Sequence, residues 1–203
     1  MEVVFDQIYE RAAWGAAGDG SGPGSEPAKT VALRAVLTKI VRERGVTTLV
    51  DAPCGACKWT RVWLEELTRA GVRLKYVGVD ISATAIDRAR ANLAGLEHDV
   101  ELRMGDIAAP LDACDLLLCR DALQHLSLQD ATGALQNIFA TPAKTVLLGG
   151  YLTGGPNRNI VTGEYYSINY TRPPFSLAPV AIHRELHDGV EPTKYLFEFT
   201  KSG

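Results

Sequence analysis

The chain has 203 residues, 46% hydrophobic and 22% charged, which is typical of one globular domain with a sizeable apolar core. Its 21 basic and 24 acidic side chains give a net charge of -3, which argues against a surface that coats nucleic acid. The sequence shows no apolar run of membrane length, no secretory signal at its start and too few cysteines for a disulfide scaffold, so we expect a cytoplasmic protein without a membrane partner.

The first 45 residues predict two helices separated by a glycine-rich segment. Apolar spacing predicts a helix over 3–14, and the segment 15–24 is too rich in glycine to hold regular structure. Ser25 is a suitable N-cap for the second helix, which repeats apolar residues at helical spacing up to Gly45. We expect the glycine-rich segment to be either a flexible tether or a lid over a ligand.

From residue 46 onward, short apolar strands alternate with amphipathic helices. Strands are expected at about 47–52, 74–80, 99–104, 115–119 and 144–152, and helices at about 58–70, 83–94 and 128–139. Such strands favour a doubly wound, mostly parallel sheet covered on both faces. Runs at 180–186 and 195–200 predict a C-terminal antiparallel hairpin at the sheet edge. The predicted fold is one α/β, Rossmann-like domain over 1–203, with an N-terminal helical extension (1–45) and a core (46–203).

Three aspartates stand where predicted strands end: Asp51, Asp80 and Asp106. Alone, Asp51 could cap a helix and Asp106 could form an Asx turn. As a series they favour a ligand site, because ligands bind at the carboxyl edge of an open α/β sheet. The loop after the first strand contains a single glycine, Gly55, which is too few for a pyrophosphate loop, and the Walker pattern is absent. A cofactor without phosphates therefore fits better than a dinucleotide.

This arrangement resembles the class I S-adenosylmethionine-dependent methyltransferases, in particular a small bacterial subgroup with an Asp-Ala-Pro-Cys-Gly cofactor loop. The resemblance spans most of residues 46–200 and rests on the loop 51–56, Asp80, Gly105-Asp106-Ile107, Cys119-Arg-Asp121 and the terminal hairpin. It implies transfer of a methyl group from S-adenosylmethionine to an oxygen or nitrogen. The asparagines and aromatic residues of the segment 157–175 suggest a small polar or glycan-like acceptor. The implied cofactor contacts are Trp14, Asp51, Ala52, Gly55, Asp80, Ile81, Asp106, Ile107 and Cys119.

In that family the loop after the fourth strand faces the transferable methyl group, which makes Asp121 and His125 the candidate general bases. Histidine titrates near neutrality and suits a hydroxyl acceptor, although His125 could instead pack beneath the helix capped by Ser127. The long segment after the fifth strand is expected either to line the acceptor pocket or to cover the sheet edge. The candidate acceptor contacts are Arg120, Asn157, Arg158, Tyr165, Tyr166, Asn169 and Arg172. No metal site is expected, and the motifs of DNA amino-methyltransferases are missing, so a nucleic-acid acceptor is not expected.

A competing interpretation comes from Cys54 and Cys57, a Cys-x-x-Cys pair before Lys58 at the start of a helix. Such a pair is typical of a thioredoxin-like dithiol oxidoreductase. Against it, Pro53 stands where an aromatic residue is usual, and the sequence offers no matching cis-proline loop. An NAD(P)-binding enzyme and a catalytically silent S-adenosylmethionine-binding protein are further alternatives. Redox titration, the identity of the bound nucleotide and product formation would separate these possibilities.

Overall fold

The computed structural model describes residues 1–11, 13–15, 17–185 and 193–201. Five helices and seven strands follow one another in these ranges: α1 Glu2–Glu10, α2 Val31–Arg44, β1 Thr48–Asp51, α3 Lys58–Arg69, β2 Lys75–Asp80, α4 Ala83–Leu93, β3 Asp99–Met104, β4 Cys114–Cys119, α5 Leu128–Ala140, β5 Ala143–Tyr151, β6 Ala181–Glu185 and β7 Lys194–Thr200. No helix in the described ranges combines the length and the apolar character needed to cross a membrane.

The seven strands form one sheet in the order β3-β2-β1-β4-β5-β7-β6. Strands β1 to β5 pair in parallel, whereas β7 lies antiparallel between β5 and β6. The predicted fold class, with its C-terminal hairpin, is confirmed; the residues predicted between 186 and 192 lie outside the described part of the chain. The strand order reverses between β1 and β4, which opens a crevice at their carboxyl ends.

Both faces of the sheet are buried, which explains why the strands read as continuous apolar runs. Val50, Leu117 and Val146 point toward α5 and the segment after β5, whereas Leu49, Leu116 and Leu147 point toward α2, α3 and α4. Neighbouring residues of each strand thus belong to opposite layers of the core. The sheet is held rigidly from both sides, so the ends of its strands can hold side chains in fixed positions.

The N-terminal region differs from the sequence-based expectation. Helix α1 ends at Glu10, and the glycine-rich segment forms 3-10 turns at Ala17–Gly20 and Pro23–Ser25. Helix α2 begins at Val31, so the prediction of Ser25 as its N-cap was wrong. The Ser25 hydroxyl donates to the carbonyl of Ser21 at 3.3 Å, which holds the turns together and does not cap a helix. Downstream, Ser127 does cap α5 by accepting from the amide of Asp130 at 3.1 Å.

Candidate active site

A cleft opens over the carboxyl ends of the parallel strands, beneath the N-terminal residues. It encloses about 830 Å³, including its open mouth. Its walls come from three places: the N-terminal region, the loops after β1, β2 and β3, and the loop after β4. The lining residues are Met1, Phe5, Tyr9, Trp14, Ser21, Ser25, Asp51, Pro53, Cys54, Gly55, Trp59, Asp80, Ile81, Gly105, Asp106, Ile107, Arg120, Asp121, Ala122, His125 and Leu126.

Asp80 ends β2 and is held at the floor of the cleft with only 4% of its surface exposed. One carboxylate oxygen accepts from the amide of Ser82 at 2.9 Å and the other from the amide of Gly55 at 2.9 Å. Burial raises the pKa of this carboxyl to about 6, although these amide bonds oppose the rise. The two anchors fix the carboxylate between the loops after β1 and β2, where its remaining lone pairs suit paired hydroxyl donors.

Two further carboxylates line the same wall of the cleft. Asp51, at the end of β1, accepts a hydrogen bond from the Tyr76 hydroxyl at 2.7 Å, and burial raises its pKa to about 7. Asp106, after β3, accepts from the amide of Ala108 at 2.8 Å, which forms the Asx turn considered above. Asp106 therefore forms the turn and also lines the cleft. One of its carboxylate oxygens closes the turn, and its side chain lies on the cleft wall with Ile107.

Residues 1–11, 13–15 and 17–30, here called the arm, cover the cleft and are held in place by side-chain hydrogen bonds. The Tyr9 hydroxyl lies 2.8 Å from the Ser21 hydroxyl oxygen, which in turn accepts from the amide of Ala56 at 3.0 Å. The Ser82 hydroxyl donates to Asp6 at 2.6 Å. Tyr9 and Ser21 were not among the site residues expected from the sequence.

His125 lines the cleft from the 3-10 turn after β4. Its ring packs on Trp14 of the arm, with 4.6 Å between ring centroids, and lies 5.6 Å from the ring of Tyr165. Its Nδ1 is 2.9 Å from the Glu164 carbonyl, which can only accept, so Nδ1 carries the proton and Nε2 carries the lone pair. Burial lowers the pKa of His125, which keeps the ring neutral and basic near pH 7.

Four charged side chains, here called the charge cluster, lie beside the cleft: Arg120, Asp121, Glu185 and Lys194. Arg120 and Glu185 are both buried and pair at 2.9 Å, while Asp121 contacts Arg120 at 2.9 Å and Lys194 at 2.6 Å. Burial raises the pKa of Asp121, but the two cations outweigh it and hold this pKa well below its ordinary range. Glu185 and Lys194 were missed from the sequence because they come from the distant hairpin.

The arm passes directly over the charge cluster at Gly24. A guanidinium nitrogen of Arg120 donates to the Gly24 carbonyl at 3.2 Å. A side chain at Gly24 would place its first carbon 2.8 Å from the Lys194 ammonium and 2.9 Å from the Asp121 carboxylate. The absence of a side chain at this position therefore permits the close approach.

Comparison with known proteins agrees with this geometry. Residues 50–143 match the family model of a methyltransferase domain. This part of the chain is therefore similar to a methyltransferase domain. No curated protein matches the chain.

Solved methyltransferase structures share the fold at low sequence identity. The magnesium protoporphyrin IX methyltransferase ChlM from Synechocystis PCC 6803, with bound SAH, is 12% identical with a TM-score of 0.63, covering 87% of this chain and 84% of that one. The mitomycin 7-O-methyltransferase MmcR is 17% identical with a TM-score of 0.65, and the match covers 91% of this chain and 56% of that one. The DhpI–SAH complex is 18% identical with a TM-score of 0.60, and the match covers 97% of this chain and 95% of that one. At these identities the likeness concerns the fold.

Most of the cofactor contacts expected from the sequence line the cleft: Trp14, Asp51, Gly55, Asp80, Ile81, Asp106 and Ile107. The other two do not. Ala52 and Cys119 are almost fully buried in the core beneath the cleft, where Ala52 donates its amide to the Leu118 carbonyl at 2.9 Å. These two residues support the floor, since Ala52 directly after β1 and Cys119 at the end of β4 both pack in the core layer that faces α5.

The segment 152–180 was expected to provide acceptor contacts, yet none of its residues lines the cleft. The Asn157 amide nitrogen donates to the carbonyl of Asn169, and the Asn169 amide nitrogen donates to that of Thr153, so both side chains brace the segment itself. Tyr166 is buried in the core and Arg172 is exposed to solvent. The segment reaches His125 through the ring of Tyr165 and the carbonyl of Glu164, and Arg158 supports Tyr165 by donating to its carbonyl at 2.9 Å.

The cysteine pair has the wrong electrostatics for a dithiol oxidoreductase. Cys54 and Cys57 are both free and buried. The hydrogen bond with Cys57, together with burial, raises the pKa of Cys54 well above its ordinary value, whereas reactive thiols need a lowered one. Lys58 does not offset this, because its ammonium pairs with Glu26 at 3.1 Å. The oxidoreductase alternative is therefore not favoured.

We expect removal of residues 1–24 to weaken S-adenosylmethionine binding by roughly tenfold or more, because aromatic contacts contribute about 0.5–1.5 kcal/mol each. Phe5, Tyr9 and Trp14 would all be lost from the cleft wall. Calorimetric titration of the shortened chain, beginning at Ser25, measures the effect. As a control, Val3→Ser changes an exposed residue of the same arm and should leave the affinity unchanged. Equal affinities of the shortened and full chains would show that the arm is only a tether.

Proposed function

We propose that the protein transfers the methyl group of S-adenosylmethionine to an oxygen or nitrogen of a small acceptor, with His125 as the proton acceptor. The observation that carries the proposal is the charge of the cleft. Four aspartates line it, whereas Arg120 is the only lysine or arginine on its walls among the described residues, and it is already paired with Glu185 and Asp121. Such a cleft suits a donor that carries a sulfonium cation and lacks phosphates. A dinucleotide would bring a pyrophosphate into this acidic surface.

The residues on the cleft floor fit the parts of this donor. Asp80, anchored by two amides, is placed to accept hydrogen bonds from both ribose hydroxyls. Asp106 can accept from the adenine amino group, and Ile107 beside it offers an apolar surface to the ring. Asp51 and Gly55 on the loop after β1 face the methionine part. These roles are part of the proposal, and the floor geometry supports them.

Catalysis then depends on alignment and proton removal. The bound donor supplies an electrophilic methyl group on its sulfonium. Tyr9 and Trp14 cover the cleft and exclude water, which favours attack by the acceptor over attack by solvent. Nε2 of His125 faces no protein donor in the described residues and is free to take a proton, whereas Asp121 is held as an ion by Arg120 and Lys194. Of the two candidate bases, the geometry therefore favours His125.

Replacing Asp80 with alanine is expected to weaken S-adenosylmethionine binding by about 1.5–3 kcal/mol, roughly ten- to a hundredfold, because charge-assisted hydrogen bonds are lost. Calorimetric titration measures this change. The Asp80 carboxyl has a pKa of about 6 and must be ionised to accept two hydrogen bonds from the donor. The affinity of the wild type for S-adenosylmethionine should therefore also fall as the pH drops below about 6.

Asp99→Ala serves as the matched control, because Asp99 is an exposed aspartate at the opposite end of the neighbouring strand β3. Its affinity should equal that of the wild type. No binding of S-adenosylmethionine to the wild type, or equal binding to the Asp80→Ala variant, would contradict the proposed site. Formation of S-adenosylhomocysteine with an acceptor separates an active enzyme from a silent binding protein.

A further inference from the structure

Resting on the proposed function, we propose that the acceptor is a flat aromatic molecule bearing an acidic hydroxyl group, and not a sugar or other polyol. The inference concerns the part of the cleft around His125, which is distinct from the floor that fits the methyl donor. It depends on which side chains face that space and on which polar groups there are already engaged.

The surfaces around His125 are aromatic or apolar. Trp14 packs on the imidazole with 4.6 Å between centroids, and Phe5 lies 6.2 Å from Trp14 on the same wall. Ala122 and Leu126, on either side of the histidine in its turn, complete the lining. A planar ring gains from such a wall by stacking and by burying apolar surface.

Several polar groups near this space already have partners within the protein. The Ser21 hydroxyl is bonded to Tyr9 and Ala56, and the Ser25 hydroxyl donates to a carbonyl. Asp121 and Arg120 are paired in the charge cluster. A polyol needs a partner for each hydroxyl it buries, and an unpartnered one costs about 1–3 kcal/mol. An acceptor with a single hydroxyl requires only one partner, and Nε2 of His125 can provide it.

The amides that suggested a glycan acceptor do not face this space. Asn157 accepts the Asn169 amide hydrogen at 2.8 Å and donates to neighbouring carbonyls, so both ends of its side chain are used. Asn169 accepts from the amide and hydroxyl of Thr171 and donates to Thr153. These contacts fold the segment after β5 against the sheet. The polar residues of this segment therefore give no support for sugar recognition in the cleft.

Proton transfer to His125 leads to the same class of acceptor. Burial lowers the pKa of His125 below the ordinary 6.5. Of the charged groups that face its ring, Asp121 raises this pKa and Lys194 lowers it. A phenolic hydroxyl, with a pKa near 10, lies about 3.5 units above that ordinary value. An aliphatic hydroxyl, close to water at about 15.7, lies about 9 units above it. The acidic hydroxyl is the one that a weak base can assist.

The step is balanced with these groups alone. The acceptor oxygen forms a bond to the methyl carbon as the carbon–sulfur bond breaks, and the sulfur keeps that electron pair. The hydroxyl proton passes to Nε2 of His125 and is later released to solvent. The products are a methyl ether and S-adenosylhomocysteine, and no oxidant or metal is needed.

The test compares the binding of matched small alcohols to the protein saturated with S-adenosylhomocysteine. The probes are 2-naphthol, its saturated analogue decahydro-2-naphthol and methyl glucoside, each titrated by calorimetry. We expect 2-naphthol to bind about tenfold more tightly than decahydro-2-naphthol, because only the flat ring can stack on Trp14. Trp14→Ala should remove this preference, whereas Trp14→Phe, which retains an aromatic ring, should preserve it.

The inference is overturned if methyl glucoside or decahydro-2-naphthol binds as tightly as 2-naphthol, or if 2-naphthol does not bind to the saturated protein. It is equally overturned if Trp14→Ala retains the full preference. A protein that does not bind S-adenosylhomocysteine in the first place would contradict the proposed function itself. The titration with S-adenosylhomocysteine alone thus separates a failure of the proposed function from a failure of this inference about the acceptor.

Discussion

Replacing His125 with glutamine is expected to lower kcat for a hydroxyl acceptor by about 10²- to 10⁴-fold, the usual contribution of a positioned general base. Glutamine has a similar reach but cannot take up the proton. The affinity for S-adenosylmethionine should remain close to that of the wild type, because the donor's proposed anchors are Asp80 and Asp106. Steady-state kinetics and calorimetry on the same protein sample measure both quantities.

The pH profile separates a base from a merely structural histidine. Burial lowers the pKa of His125, so the neutral form needed for catalysis exists above a pKa that lies below 6.5. The wild-type rate should therefore be level near pH 7–8 and fall as the pH drops through that lower value. The His125→Gln variant should lose this inflection. A second histidine, His183, pairs with Glu198 outside the cleft, and His183→Gln should retain the profile. An unchanged inflection in His125→Gln would eliminate it as the base.

Replacing Glu185 with glutamine is expected to destabilise the fold by about 3–5 kcal/mol, because it leaves the buried Arg120 without its main counter-charge. Glu185 is 2% exposed and contacts Arg120 through both carboxylate oxygens. We expect the low end of this range, since Asp121 remains 2.9 Å from the guanidinium. Urea unfolding monitored by circular dichroism gives the free energy of unfolding.

Glu65→Gln is the matched control for this experiment. Glu65 pairs with Arg61 at 2.9 Å on the surface of α3, where about two fifths of each side chain is exposed. Such surface pairs contribute about 0–1 kcal/mol, so the control should unfold almost as the wild type does. If both variants unfold alike, the charge cluster does not hold the C-terminal hairpin to the sheet. If only Glu185→Gln is unstable, the cluster contributes to the fold as well as to the cleft.

Several site assignments depended on contacts that no local pattern encodes. The sequence places Trp14 and His125 more than one hundred residues apart, yet their rings are in contact. The same holds for Arg120 and Glu185, which are 65 positions apart. The amides of Asn157 and Asn169 looked available for an acceptor, but in the folded chain they bond to their own segment. Which polar group is free and which is engaged depends on the partners that folding brings near.

The sequence by itself determined the sheet and the floor of the site. Continuous apolar runs and helical apolar spacing are local, and the carboxyl ends of parallel strands meet at one edge, so Asp51, Asp80 and Asp106 could be placed together. Only the tertiary structure decided that the arm forms the wall beside His125, that Asp121 is held as an ion by Arg120 and Lys194, and that Nε2 is the basic nitrogen. Those features arise from side-chain contacts between distant segments, whose geometry is set by packing and not by periodicity.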